Sequence, residues 1–445
     1  MSSTNREILD SVIKIAKDKN VDADVILTQE EQLGLKADRG ELSEYKVTSS
    51  RCVGIRVVQG DQVGTSYSES VEPSSLETMV QTAIENAGYA KEDPNEKICA
   101  NDQKIADWSS RTCLEDEATV EEKVALTLAL ESGLEGRDIP AKAPYNAFSE
   151  INYEISMANT LGHTCSHQER QVSCYTYALL DQEGQQSMHL GYEVGRQFQE
   201  LSAQRVTDEA YETAKDLLTG TPVSTGAYEV VFTTDCLNDL LSAFGMCWSG
   251  QSAMKGLNPL REKIGETIAH SEFSLFDDPS VDGGFALQAF DSEGFATVRT
   301  PIVEAGKLST FLHNSATANF FGTANTANAA RGTKSALSVS PSHLCIGTGS
   351  QTEKDLKSGT YLELVSLQGV HSGANAISGD FSFGASGFLH ENGERKQAVR
   401  GVTVAGNFYK MLQEISAIGD TTHSDHSRSF FAPLIRFDKL SVAGA

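Results

Sequence analysis

The sequence predicts an α+β fold with two domains whose sheets are antiparallel or mixed. Strand-like segments outnumber helical segments, and no regular alternation of strands with helices indicates a parallel sheet. A strand-hairpin-helix unit occurs twice in the first half of the chain. With 445 residues, the chain is too long for one ordinary hydrophobic core, so two or more domains are expected.

The first unit begins with an amphipathic helix within residues 1–20, where apolar residues recur at helical spacing. Extended segments follow, and Gly60-Asp61 between two of them is typical of a tight hairpin. Pro73 opens a second helix with one apolar face. The extended segments are 25–27, 33–37, 45–49, 52–59 and 62–67, and the apolar face comprises Leu76, Met79, Val80, Ala83, Ile84 and Ala87.

The second unit repeats this order. Thr119 and Glu122 form a capping box at the start of a helix, alternating segments follow, and another helix is expected over 207–218. The alternating segments are 150–157, 162–167, 172–180 and 186–192. An internal duplication near residues 1–100 and 118–220 is therefore predicted, although the sequence shows no repeat of fixed period.

We expect a domain boundary after residue 223. It separates an N-terminal α+β domain, residues 1–223, from a strand-rich C-terminal domain, residues 224–445. In the second domain, a buried strand over 228–232 precedes a helix that Asp235 caps and that extends to about Trp248. Mostly short strands with glycine-containing turns follow, which keeps the prediction in the α+β class.

Composition argues against binding to nucleic acid or membranes. The 36 basic and 61 acidic residues give a net charge of −25, and such a surface repels phosphates. Charged residues interrupt the first 20 positions, so no signal peptide is predicted. No stretch approaches the roughly 18 apolar residues of a membrane span. We therefore expect a cytoplasmic protein.

Histidines are the serious candidates for metal chemistry, because the sequence contains neither a Gly-x-Ser-x-Gly elbow nor a phosphate-binding loop. His163, Cys165 and His167 would share one face of a strand. Residues two apart on a strand lie roughly 7 Å from each other, which is far for ligands whose bonds are about 2.0–2.3 Å long. His423 and His426 lie in a predicted polar loop. A metal site is therefore not predicted at either place.

A glycine-rich segment over residues 368–388 interrupts strand-like sequence every few positions. Glycine within a strand marks a bulge, a bend or the close approach of another group. Two interpretations stay open: the glycines shape a crossover inside a sheet, or the segment offers an edge to which an extended peptide adds as a strand. The candidate peptide- or partner-binding residues are Gly379, Asp380, Phe381, Phe383 and Ser386.

The second half of the chain contains distinctive motifs, such as Phe290-Asp291-Ser292-Glu293-Gly294 and Val404-Ala405-Gly406-Asn407. By these motifs the C-terminal half resembles the TldD/PmbA family, whose members are also described as modulators of DNA gyrase. The resemblance is nearly continuous from about residue 228 to 445, and it is looser in the N-terminal half, at Gly54-Ile55-Arg56-Val57. The family motifs are matched at 290–294, 300–308, 311–318, 328–332, 340–344, 404–407 and 440–444, and in the glycine-rich segment.

Two branches of that family differ at one helix. The protease branch carries His-Glu-x-x-x-His on the helix after the first strand of the C-terminal domain, and a cysteine ligand near the chain end. The matching helix here, residues 236–248, holds neither histidine nor glutamate, and no cysteine follows Cys345. Asp235, Asp239 and Cys247 have no spacing that would let them replace three zinc ligands and the base. The chain therefore resembles the PmbA (TldE) branch, and no catalytic or metal-binding residue is predicted.

This resemblance implies a non-catalytic subunit of a cytosolic TldD-type metalloprotease complex. Zinc is then expected in the partner, unfolded peptides such as leader peptides or antitoxins are the expected substrates, and the chain alone is expected to form a homodimer. Two alternatives stay open. One is a metallopeptidase in its own right, with ligands from His163, Cys165, His167, His423 and His426. The other is a non-proteolytic binding protein that modulates DNA gyrase.

Overall fold

The computed structural model describes residues 4–285 and 287–445, and its first half is built from five helices and seven strands within that range. The elements are α1 (Asn5–Asp18), β1 (Asp22–Asp38), β2 (Glu41–Gln59), β3 (Gln62–Ser68), α2 (Pro73–Tyr89), α3 (Ser109–Thr112), α4 (Val120–Ser132), β4 (Ala141–Lys142), β5 (Asn146–Asn159), β6 (Thr164–Gln182), β7 (Gln185–Gly195) and α5 (Ala203–Leu218).

These strands form one antiparallel sheet in the order β3-β2-β1-β5-β6, with β7 and the short β4 also paired to β6. Three strands lie between α1 and α2, and the same order of a helix, three long strands and a helix recurs from α4 to α5, where the two-residue strand β4 is added ahead of β5. The hairpin at Gly60-Asp61 is confirmed, since Gln59 pairs with Gln62. The capping box of Thr119 and Glu122 is confirmed as well. That the two units arose by duplication stays a prediction.

Glycines allow one helix of each unit to approach the sheet closely. A β-carbon added to Gly64 of β3 would lie 2.0 Å from the Ala83 carbonyl oxygen of α2. A β-carbon added to Gly191 of β7 would lie 1.9 Å from the Val206 carbonyl oxygen of α5. Both distances are far below contact between a methyl group and an oxygen atom. The last strand of each unit therefore requires glycine where its helix crosses.

The second half contains twelve strands and six helices within the described residues. The elements are β8 (Gly226–Phe232), α6 (Thr234–Ala243), α7 (Gly250–Met254), β9 (Leu275–Asp277), β10 (Thr300–Glu304), β11 (Lys307–Leu308), α8 (Ser315–Phe321), β12 (Ala329–Ala330), β13 (Ser338–Val339), β14 (Leu344–Ile346), α9 (Glu353–Leu356), β15 (Thr360–Gln368), α10 (Val370–Gly373), β16 (Asp380–Glu391), β17 (Glu394–Asn407), α11 (Phe408–Gln413), β18 (Ile415–Ser424) and β19 (Phe430–Ala443).

The large sheet of this half is mixed. Its order is β11-β10-β9-β14-β19-β17-β16-β15-β8, and β19 also pairs with β8, so five strands close on themselves. Two pairs are parallel, β8 with β15 and β14 with β19. Phe244 stacks on Phe408 inside the main hydrophobic core. The predicted α+β class with mixed sheets is confirmed.

One predicted helix differs from the structure. The helix expected from Asp235 to Trp248 ends at Ala243, and a 3₁₀ turn over Gly245–Trp248 follows. Thr233, not Asp235, occupies the N-cap position. The Asp235 carboxylate instead accepts a hydrogen bond from the His426 main-chain N–H at 2.9 Å. The Asp235 carboxylate therefore binds the loop that contains His426, which is distant in sequence, and does not cap the helix.

The first sheet lies between two layers. Helices α1 and α2 pack on one face, around Val25, Val53 and Ile55. The other face packs against the C-terminal half, where a β-carbon added to Gly54 would lie 2.1 Å from the Thr333 carbonyl oxygen. Within residues 4–285 and 287–445, none of the helices has both the length and the apolar character of a membrane span.

Candidate functional site

The glycine-rich segment does not offer a free sheet edge. Strand β16 pairs with β17 along nearly its whole length and with β15 from Gly384 to Glu391. Ahead of that stretch, Phe381 bridges Ala374, and the Asp380 carbonyl accepts from the Asn375 N–H at 2.8 Å. The interpretation that a peptide adds as a strand at this segment is therefore wrong, because both edges are already occupied.

Three of the five candidate residues in this segment are buried. Phe381 and Phe383 are 3% and 1% exposed within the C-terminal core. Gly379 is buried with φ +83°, and a β-carbon there would lie 2.4 Å from the Tyr409 ring. Asp380 is exposed and accepts from Asn407 Nδ2 at 2.8 Å, while Ser386 is half-buried. Contact of these residues with a peptide or partner stays a prediction.

His426, in the loop between β18 and β19, contacts the start of helix α6, the helix on which the protease branch of the resembled family carries its motif. Its Nδ1 lies 2.7 Å from Asp235 Oδ1 of α6, and its Nε2 lies 2.7 Å from Glu209 Oε1 of α5. Hydrogen bonds that the ring donates to the carboxylates of Asp235 and Glu209 raise the pKa of His426 to about 10. The imidazole is therefore protonated at neutral pH and has no lone pair for a metal.

The other side chains near the two ends of α6 do not form a metal site either. Asp425 Oδ1 accepts the main-chain N–H groups of Ser429 and Phe430 at 2.7 and 2.9 Å, and its Oδ2 accepts the Ser427 hydroxyl at 2.5 Å. Cys247 Sγ lies 3.2 Å from the Tyr409 hydroxyl, and burial raises the pKa of this thiol to about 11. The atoms of Asp425 and Cys247 that could bind a metal already contact other groups of the protein. They therefore do not fit a catalytic zinc ion.

The other histidines considered as ligands contact different parts of the fold. His423 Nε2 pairs with Glu353 Oε1 at 2.5 Å. His163 and Cys165 pack against Gly294, and His167 lines a cleft between the two halves. Across the described part of the chain, no group of three or more His, Cys, Asp or Glu residues is arranged to hold a metal ion.

A buried cluster of charges joins the first sheet to the C-terminal half. Asp24 of β1 lies directly opposite Arg56 of β2, and Arg56 Nε and Nη2 donate to Asp24 Oδ2 at 2.9 and 2.5 Å. Glu293 and Arg331 complete the cluster: Arg56 Nη2 donates to Glu293 Oε1 at 3.1 Å, and Arg331 Nη2 donates to Asp24 Oδ1. All four side chains are at most 5% exposed.

Electrostatics within this cluster are set by burial and by the close carboxylates. Burial disfavours the cation of Arg56, yet Asp24 and Glu293 outweigh that effect and raise the pKa of its guanidinium. Burial lowers the pKa of Arg331, although guanidinium groups stay protonated in proteins. Burial, followed by the charge of Glu293, raises the pKa of the adjacent Asp291 to about 7. The two halves are therefore joined by compensating charges on buried side chains.

Beside the cluster lies a cleft of about 590 Å³ between the two halves. Tyr153, Ile155 and His167 of the first sheet form one wall, and segments 287–292 and 329–332 of the C-terminal half form the other. Its size falls within the range of about 300–1,000 Å³ that is usual for ligand sites. Sequence reasoning missed this cleft and the ionic cluster, although an arginine inside the apolar run Gly54-Ile55-Arg56-Val57 was a usable signal.

Three domain models of one family match the chain. They are described as PmbA/TldA metallopeptidase domain 1, central domain and C-terminal domain, and they match residues 23–87, 114–218 and 225–444. Among curated relatives, the metalloprotease PmbA homolog of Haemophilus influenzae is 25% identical over 99% of this chain and 96% of that protein. Metalloprotease PmbA of Escherichia coli O157:H7 is 24% identical over 93% of this chain and 91% of that protein.

Solved structures show the same fold. A Thermotoga maritima protein, described as a proposed modulator of a DNA gyrase, has a TM-score of 0.88 and 25% identity, covering 99% of this chain and 100% of that one. TldE from Thermococcus kodakarensis has a TM-score of 0.87 and 20% identity, covering 98% of this chain and 100% of that one.

Proposed function

This chain belongs to the PmbA/TldD metallopeptidase family, and we propose that it is the non-catalytic, PmbA/TldE-like subunit of a cytosolic, zinc-dependent TldD-type complex. In this proposal the partner supplies the zinc ion and the general base. The complex processes or degrades unfolded peptides, and the present chain shapes the peptide-accepting space beside the partner's active site.

The environment of His426 is the observation that carries the proposal. At the helix where a zincin needs neutral histidines and a free glutamate base, the chain places an imidazolium held by Asp235 and Glu209. A protonated imidazole bound at both nitrogens resists metal binding, because one nitrogen would have to lose its proton and its carboxylate partner before it could bind a metal ion. These contacts of His426 with Asp235 and Glu209 thus favour a structural role for this end of α6.

Metal analysis combined with reconstitution tests the proposal. The purified chain is expected to hold far less than one zinc per molecule and to leave reduced, carbamidomethylated lysozyme uncut. Addition of a sister chain that bears His-Glu-x-x-x-His from the same genome should produce cleavage that a chelator stops. Cleavage by the sister alone at an equal rate would contradict a role for this chain.

Two other results would favour the alternatives. One tightly held zinc per chain, with chelator-sensitive cleavage by this chain alone, would indicate a metallopeptidase in its own right. A change in supercoiling activity when the chain is added to purified DNA gyrase, without any cleavage in the reconstituted pair, would indicate a non-proteolytic modulator. The net charge of −25 argues that such an effect would act on the enzyme and not on its DNA.

A further inference from the structure

The cleft between the two halves contains an unusual buried donor. Arg331 directly follows strand β12, lines the cleft and has a side chain that is only 1% exposed. Its Nη2 donates to Asp24, whereas its Nε and Nη1 have no hydrogen-bond partner among the described residues. Leaving the N–H groups of a buried guanidinium without a partner is unfavourable. Such groups are usually satisfied by water or a ligand.

A second unpaired group lies on the opposite wall. His167 Nε2 is buried and has no hydrogen-bond partner within residues 4–285 and 287–445. Burial lowers the pKa of His167, so its ring is neutral at pH 7 and Nε2 is free to donate or accept a hydrogen bond. The cleft thus has polar groups on both walls that its own residues leave unused.

The charges around the cleft favour an uncharged acceptor as the ligand group. Arg56 and Arg331 are already matched by Asp24 and Glu293. Two further carboxyl groups line the cleft: Glu169 pairs with Arg196 at 2.6 Å, and Asp291 accepts the main-chain N–H groups of Glu293, Phe295 and Ala329. An additional carboxylate or phosphate would therefore leave an excess negative charge in a site of low dielectric constant, which is costly. A carbonyl oxygen satisfies the free N–H groups without adding charge.

The walls also present apolar surface next to these polar groups. Ile155, Leu287 and Phe290 line the cleft, and Tyr153 contributes its ring. The cleft is open on one side, since exposed residues such as Gly332 belong to its lining. Alternating carbonyl acceptors and apolar side chains within a flexible chain are the properties of an extended polypeptide.

We propose that this cleft binds an extended, unfolded segment of polypeptide, with Arg331 donating to main-chain carbonyl groups and His167 bonding from the opposite wall. The inference rests on the proposed function, because that function makes unfolded peptides the ligand. Main-chain recognition makes the binding tolerant of sequence. The site lies on this chain's own residues, separate from the glycine-rich segment over residues 368–388.

A blocking substitution provides the first test. A β-carbon at Gly332 would meet only the Ser335 hydroxyl oxygen, at an ordinary 3.7 Å, so Gly332→Trp places an indole in the mouth of the cleft without a clash at its base. Gly88→Trp is the matched control, because Gly88 is exposed on α2, on the opposite face of the sheet, with nothing within 4 Å of an added β-carbon.

The probe is fluorescein-labelled lysozyme, reduced and carbamidomethylated so that it stays unfolded, and binding is followed by fluorescence anisotropy in about 0.3 M salt to screen charge attraction. Labelled native lysozyme has the same net charge and controls for that attraction. We expect the unfolded probe to bind the wild type and Gly88→Trp equally. Gly332→Trp should bind at least tenfold more weakly.

Substitution of the donor provides the second test. Arg331→Lys keeps a positive charge beside Asp24 but removes the fork of additional N–H groups. A weakening of about tenfold is expected, which is the effect of losing one hydrogen bond to a charged donor. His167→Phe, which fills the same space without the nitrogen, should weaken binding by a smaller factor. Circular dichroism of each variant excludes unfolding as the cause.

The outcomes separate this inference from the proposed function. Unchanged binding in Gly332→Trp and His167→Phe means that solvent alone occupies the cleft, and it overturns the inference even if the reconstituted complex cleaves its substrate. Binding that depends on Gly332 and Arg331 supports the inference even if no sister chain restores cleavage. In the latter case the proposed function fails and the cleft remains a peptide site of this chain.

Discussion

Single charged residues determine how the two halves of this molecule meet. His426 lies in the loop between β18 and β19, yet its ring connects α6 of the C-terminal half to α5 of the first half through Asp235 and Glu209. The ring is about 30% exposed, so water weakens this link without removing it. A histidine in this position makes the contact between the halves sensitive to pH.

Stability should therefore depend on His426 in the alkaline range. Its pKa in the folded protein, about 10, lies above the ordinary value of 6.5. Its contribution is complete below about pH 6.5 and is lost as the pH rises through 10. We expect His426→Gln to lower the free energy of unfolding by about 1–2 kcal/mol at pH 7. The variant should also lose less stability than the wild type between pH 7 and 10, as measured by urea unfolding.

His189→Gln is the control for this prediction, because His189 Nδ1 contacts only a main-chain carbonyl, that of Leu190, among the described residues. It should leave the pH dependence unchanged. A wild type and a His426→Gln variant whose stabilities fall in parallel from pH 7 to 10 would show that the imidazolium makes no net contribution.

The residues of the candidate site were only partly accessible to sequence reasoning. The unfavourable spacing of His163, Cys165 and His167 for one metal ion could be argued from strand geometry alone. The buried cluster around Arg56 could not be predicted from sequence, because its members Glu293 and Arg331 are more than 200 positions away in the chain. Likewise, Phe381 and Phe383 looked like candidate contacts in sequence, and only the pairing of β16 on both sides shows that they belong to the core.

At the scale of elements, local signals predicted starts and turns better than lengths. The capping box at Thr119 and the hairpin at Gly60 depend on neighbouring residues, and both are confirmed. The segments expected at 25–27 and 33–37 instead belong to one strand of 17 residues, β1, because β2 and β5 pair with it on both sides. Pairing partners distant in sequence extend a strand through residues of weak propensity.

The two helix-sheet crossings give a prediction at this scale. Gly64→Ala and Gly191→Ala should each lower the free energy of unfolding by about 1–3 kcal/mol, because the new methyl group meets main-chain atoms of α2 or α5 at 2.0 and 1.9 Å. Gly34→Ala in β1 is the control, since nothing lies within 4 Å of its added β-carbon. Urea midpoints measure all three variants. Equal midpoints for Gly191→Ala and Gly34→Ala would contradict the close crossing.

At the scale of the whole molecule, the first sheet faces two kinds of neighbour. Its helical layer buries aliphatic residues such as Val25 and Ile55, whereas its other face meets the C-terminal half through Asp24, Arg56 and their partners. The hydrophobic contact on that face is small, around Ile26, Met157 and Phe290. The ionic cluster is therefore expected to contribute much of the coupling between the halves, and an open cleft persists beside it.

Removal of Asp24 should uncouple the two halves. Asp24→Asn leaves Arg56 and Arg331 buried without their shared carboxylate, and breaking a buried pair in this way costs about 3–5 kcal/mol. In intermediate urea, hydrogen exchange of β1 and β2 should then increase before that of β16 and β17, because the first sheet opens while the closed C-terminal sheet stays folded. Asp10→Asn is the control: its exposed pair with Arg6 should contribute less than about 1 kcal/mol. Equal effects of the two substitutions, or simultaneous exchange in both sheets, would show that apolar packing and not the ionic cluster joins the halves.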